Sequence, residues 1–217
     1  MSNSKLRIHF VLEGNEENTL FEIIEELYVM ENIKMTYKNS NGGGNIPSYY
    51  QAALASDNYD FIYCVYDVDY SPNDEKAMYK RIRNGLYKVL GDEKEIDNVS
   101  LCINPNTLLI ILLGYDELSA LIGIKSDKKQ NTALINKYCP KIGNKKDYDA
   151  SRWQLDIFKD DYIYSKKASI DKILEALDEI NMNYEDNGVG SNLLPVIEAL
   201  IKDDYSFFEK KMEDWIC

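Results

Sequence analysis

Three carboxylates stand out by type and spacing. Glu13 follows the apolar run Leu6 to Leu12 (LRIHFVL), while Asp67 and Asp69 follow the apolar run Phe61 to Tyr66 (FIYCVY). Residues i and i+2 on extended backbone project to the same side, so the Asp67-Val68-Asp69 segment aims two acids at one point. Crowded carboxylates repel one another and their pKa values rise unless a cation supplies the missing charge. Oxygen ligands of this kind select a hard divalent ion, Mg²⁺ or Mn²⁺. Such an ion keeps waters and leaves room for phosphate oxygens, which suits phosphoryl transfer or phosphodiester hydrolysis. An aspartate closing a strand is also an ordinary turn or capping residue. The Glu13-Gly14 pair at the end of the first strand is what lifts the metal reading above that plain one.

Other catalytic chemistries find little support. His9 is the only histidine, and it alternates with apolar residues inside a strand, so a core or edge histidine is expected and a Ser/His or Cys/His pair is not. Cys64, Cys102, Cys139 and Cys217 are scattered, with neither a C-x-x-C pair nor a histidine cluster to complete a zinc site. Reduced thiols are expected. The Gly42-Gly43-Gly44 loop lacks the Lys-Ser/Thr ending of a P-loop and reads as a turn.

The elements that must position the acids alternate. Strand Leu6 to Leu12 precedes a helix within Glu17 to Glu31, and a short strand around Lys34 to Tyr37 precedes a helix from Pro47 to Ala55. Phe61 to Tyr66 is apolar all round, as a doubly covered central strand would be. A helix over Lys76 to Leu90, a strand over Val99 to Ile103 and a helix opened by Asn104-Pro105 complete the pattern. Alternation of this kind predicts a parallel four-stranded sheet flanked by helices. Functional groups then gather beyond the C-terminal strand ends, where all three acids lie. After residue 118 the chain reads as helical: 131 to 138, 151 to 158, 170 to 180, 193 to 201 and 205 to 215. Two regions are expected, 1–118 and 119–217.

The chain has 217 residues, 45% hydrophobic and 29% charged, enough for one good core and a small appended part. No apolar run is long enough to span a bilayer and no leader pattern opens the chain, so a cytoplasmic protein without membrane contact is expected. A net charge of −12 argues against general nucleic-acid binding. The distribution is uneven, however: residues 125 to 146 hold seven lysines against the single acid Asp127. A solvated face is the commoner meaning of such a run; Lys141, Lys145 and Lys146 are its candidates for phosphate contact.

Leu12-Glu13-Gly14-Asn15-Glu16-Glu17 before a helix, with Tyr66-Asp67-Val68-Asp69 closing a later strand, resembles the TOPRIM domain of topoisomerases, bacterial primases and OLD-type nucleases. Within that group the chain is similar to small RloB-like and OLD-like proteins of bacterial phage-defence loci. The segment opened by Asn104-Pro105 (NPNTLLIILLGY) and the late Gly190-Ser191-Asn192 resemble two further RloB-like segments. The resemblance implies a TOPRIM-like, Rossmannoid fold and a Mg²⁺- or Mn²⁺-dependent nuclease that cleaves DNA or RNA, tRNA included. It casts the chain as the toxic effector of an abortive-infection response, activated by an ABC- or SMC-like ATPase, with homo-oligomers allowed. Glu13 would be the general acid/base beside the metal, Asp67 and Asp69 its ligands, and Glu17 an extra ligand. Where RloB-like proteins continue after Asn-Pro with an aromatic-Glu pair and a histidine, this chain has Thr107-Leu108 and Gly114, which marks a divergent member. Two other readings stand beside it. One is a catalytically silent TOPRIM-fold interaction module. The other is an aspartate-nucleophile phosphatase, since Asp67-Val68-Asp69-Tyr70-Ser71 fits D-x-D-x-Ser/Thr, although that motif belongs on a first strand.

Overall fold

The computed structural model describes residues 5–68, 78–104, 106, 107, 110, 170–180 and 190–216, the last five of these by backbone alone. Five strands are described: β1 (Leu6–Leu12), β2 (Ile33–Asn39), β3 (Phe61–Asp67), β4 (Ser100–Asn104) and β5 (Gly190–Ser191). The described helices are α1 (Asn15–Leu27), α2 (Ile46–Ala55), α3 (Met78–Leu90), α4 (Glu93–Val99), α5 (Ile170–Glu179), α6 (Leu194–Ile201) and α7 (Tyr205–Ile216), and a 3-10 turn (Gly43–Asn45) leads into α2.

Strand order is β2-β1-β3-β4-β5, parallel except for the last pair. The expectation of four parallel strands is therefore corrected to a mixed sheet of five. The fifth strand is two residues long and pairs antiparallel to β4, Ser191 opposite Ile103. So brief a strand has no alternation to betray it. Its neighbour Asn192 extends the pairing by side chain: Oδ1 accepts from the Cys102 amide at 2.7 Å and Nδ2 donates to the Ser100 carbonyl at 2.9 Å.

Alternation along β3 separates two apolar layers. Phe61, Tyr63 and Val65 face a core built with Leu20, Phe21 and Ile24 of α1, Ile173 and Leu177 of α5, Ile197 and Leu200 of α6, and Phe208 of α7. Ile62, Cys64 and Tyr66 face a second core with Ile46 and Tyr50 of α2, Tyr79, Ile82 and Leu86 of α3, and Ile96 and Val99 of α4. β3 is thus covered on both sides, as its all-apolar sequence requires. The expected boundary at 118 lies outside the described residues, as do the helices expected over 131 to 138 and 151 to 158. The described parts of region 119–217 join the sheet and core of the first region.

Strand order also fixes where a crevice can open. The chain passes from β1 outward to β2, then crosses back over β1 to β3. The order reverses between β1 and β3, and ligands of open α/β sheets bind beyond the C-terminal strand ends at such a reversal.

Candidate active site

Glu13 lies one residue past β1, and its amide donates to the Val65 carbonyl at 2.9 Å, continuing the β1–β3 ladder. Its own carbonyl accepts from the Gly42 amide at 2.7 Å, with the Ser40 hydroxyl 3.2 Å away. Held at both backbone ends, its side chain crosses to the next strand. Glu13 Oε2 accepts from the Asp67 amide at 2.9 Å. The Glu13 carboxylate therefore reaches the backbone of Asp67.

Asp67, the last residue of β3, is half-buried. Its Oδ1 accepts from the Thr107 amide at 2.9 Å and from the Thr107 hydroxyl at 3.1 Å. Thr107 follows β4 at the same sheet edge and is fully buried. The sequence reading counted Thr107 only as a departure from a family pattern. Its place beside Asp67 follows from β4 lying next to β3, which the sequence pattern does not give.

Glu17 occupies the first turn of α1 with 1% of its surface exposed. Its Oε2 accepts from the Gly14 amide at 2.7 Å, closing the helix N-terminus. Burial pushes its pKa up, opposed by hydrogen bonds from Thr107, from the Gly14 and Glu17 amides and with Asp67. Burial thus favours the protonated form of Glu17 beside Asp67.

The glycine loop packs on this cluster. Gly42 has φ +122°, a conformation that side chains oppose. A Cβ on Gly43 would stand 3.1 Å from Glu13 Oε1, 2.7 Å from Met78 Cγ and 2.8 Å from Ile82 Cδ1. The loop read as a plain turn is thus a tight lid on the Glu13 carboxylate.

Glu13 reaches the Asp67 backbone amide, and the Glu17 carboxyl interacts with the Asp67 side chain. Asp69 lies outside the described residues, as do Lys141, Lys145 and Lys146. Among the described residues no group of three or more His, Cys, Asp or Glu is arranged to hold a metal ion. The side-chain donors of Glu13, Glu17 and Asp67 are all oxygen, the chemistry a hard cation takes. His9 has no part in the cluster: it is buried on β1, within 2.9 Å of Thr36 Oγ1 and stacked on Tyr59 at 4.3 Å. Cys64 and Cys102 are buried, and burial pushes the Cys64 thiol well up, which leaves it inert as a nucleophile. Among the described residues no helix is long and apolar enough to cross a membrane.

No family model, curated protein or solved structure matches the chain.

Proposed function

We propose that this chain is a Mg²⁺-dependent phosphodiester hydrolase, a nuclease of TOPRIM type related to RloB-like and OLD-like proteins. The observation that supports it best is the meeting of Glu13 and Asp67 where the strand order reverses, with the Glu13 carboxylate on the Asp67 amide. Glu13, Asp67 and Asp69 would hold Mg²⁺ or Mn²⁺, with Glu17 as an added ligand. The ion would polarise a phosphate and acidify a bound water. Glu13, anchored through one oxygen, takes a proton from the attacking water or returns one to the leaving oxygen. Thr107 fixes Asp67, and the buried α1 N-terminus fixes Glu17, so the cluster is organised before substrate arrives.

The biological setting proposed is that of a toxic effector in bacterial anti-phage defence, cleaving DNA or RNA once an ABC- or SMC-like ATPase activates it. A net charge of −12 gives weak intrinsic affinity for nucleic acid, which fits an enzyme silent until recruited. A catalytically silent module of the same fold is the second reading, favoured by the two hydrogen bonds that already occupy Asp67 Oδ1. Expression of wild type and Glu13→Ala in bacteria, alone and with the neighbouring gene, separates them. Toxicity and nucleic-acid cleavage that vanish in Glu13→Ala and in EDTA support the nuclease; equal behaviour of the two proteins contradicts it.

A further inference from the structure

Helix α3 departs from the acidic balance of the chain. Acids outnumber bases 37 to 25 over the whole chain, yet Met78–Leu90 (MYKRIRNGLYKVL) holds Lys80, Arg81, Arg83 and Lys88 and no acid. Its two faces are cleanly divided. Tyr79, Ile82 and Leu86 are buried in the second core. Positions 80, 81, 84, 87 and 88 follow helical spacing on the opposite side, where Lys80 is half-buried and Arg81, Asn84, Tyr87 and Lys88 are exposed.

Two of the acids of α4 are paired beside this stripe. Arg83 lies beside it, and its Nη2 pairs with Glu93 at 2.7 Å and with Asp97 at 2.8 Å. Among the described residues no ion pair involves Arg81 or Lys88. Tyr87 adds an aromatic ring, 48% exposed, between the cations. A basic face with an exposed ring suits a phosphate backbone carrying unpaired bases better than it suits plain solvation.

The opposite, inward side of the same helix packs beside the proposed centre: a Cβ on Gly43 would meet Met78 Cγ at 2.7 Å, Ile82 Cδ1 at 2.8 Å and Glu13 Oε1 at 3.1 Å, so the first turns of α3 lie next to Glu13. From Lys80 to Lys88 the helix rises about 12 Å, the axial span of three to four phosphates in one duplex strand at about 3.4 Å each.

We infer that the exposed face of α3, through Lys80, Arg81 and Lys88, is the track that carries the nucleic-acid backbone into the Glu13–Asp67 cluster. This rests on the nuclease reading and deepens it by naming the substrate-binding surface. It places that surface on α3, apart from the lysines of residues 125 to 146.

The test is binding of the full chain to fluorescent single-stranded and duplex oligonucleotides in Ca²⁺ over a series of salt concentrations. Arg81→Gln/Lys88→Gln is compared with wild type and with Lys34→Gln/Lys38→Gln, a change of equal charge on the exposed positions of β2. The α3 double variant is expected to bind at least tenfold more weakly. Its plot of log affinity against log salt should flatten by about 1.8 on duplex and about 1.4 on single strands, with the β2 variant unchanged. Under cleavage conditions its KM rises while kcat at saturation stays. Affinity and salt slope equal to wild type, an equal loss in the β2 variant, or a loss confined to kcat overturns the track. Salt-sensitive binding that depends on α3 without any cleavage by wild type would sink the nuclease reading and leave the track standing. A wild type that binds no oligonucleotide even at low salt contradicts both.

Discussion

Glu17, buried beside Asp67, is the residue from which the local chemistry can be judged. Burial raises the Glu17 pKa above its ordinary 4.5. A group whose pKa is higher in the folded state stabilises the fold below its unfolded pKa and loses that contribution as pH rises through the folded value. In EDTA the free energy of unfolding should therefore carry a term that falls as pH climbs above that ordinary value. Glu17→Gln should remove the term, read as a flatter pH dependence in urea denaturation; identical pH profiles would show Glu17 to be an ordinary ionised carboxylate. Thr107 offers a second check. Thr107→Val deletes the hydroxyl at 3.1 Å from Asp67 Oδ1 while keeping the shape, whereas Thr107→Ser keeps the hydroxyl. Partners that orient metal ligands are worth roughly 10- to 100-fold in metal affinity or activity. Val should cost about that much and Ser should largely restore it; equal loss in both, or none, would deny Thr107 a positioning role.

Among the elements, β1 and β3 announce themselves and the small pieces do not. Leu6 to Leu12 and Phe61 to Tyr66 are continuous apolar runs closed by acids, so both the strands and the ends that carry Glu13 and Asp67 could be read directly. The helix α4 offers only Ile96 and Val99 as buried apolar residues in seven, too few for a period, and its start rests on one Asp92 side chain accepting from the Lys94 amide at 2.7 Å. β5 is set by tertiary contacts alone. Glu13 and Asp67 could be paired from sequence because strand-end position decides where they point. Thr107 could not, because its role depends on β4 lying beside β3, a fact of register and not of pattern. The side-chain pairing that completes β5 is open to direct test. Asn192→Ala strands the Cys102 amide and the Ser100 carbonyl, and leaving such buried groups unpaired costs about 1 to 3 kcal/mol. A urea midpoint unchanged from wild type would show that water replaces the Asn192 amide.

Across the whole molecule, the sheet and its two apolar layers act as the frame that brings separated segments to one edge. Glu13 and Glu17 come from the β1–α1 turn, Asp67 from the end of β3, Thr107 from beyond β4 and Gly43 from the β2–α2 loop. The C-terminal helices close the frame at a distance from the site: the Asp203 carboxylate, between α6 and α7, accepts from the amides of Glu31, Asn32 and Ile33 ahead of β2. Under the proposed function, a net charge of −12 with a basic face on α3 would give weak binding of nucleic acid in general together with a defined approach to the cluster. All of this depends on Glu13 and Asp67 jointly holding a divalent cation. The most direct measurement is a Mn²⁺ titration followed by electron paramagnetic resonance on wild type, Glu13→Gln and Asp67→Asn, with folding checked by circular dichroism. Saturable binding in wild type that weakens by tenfold or more in each folded variant is the expected result; binding that is absent in wild type, or equal in all three proteins, would contradict it.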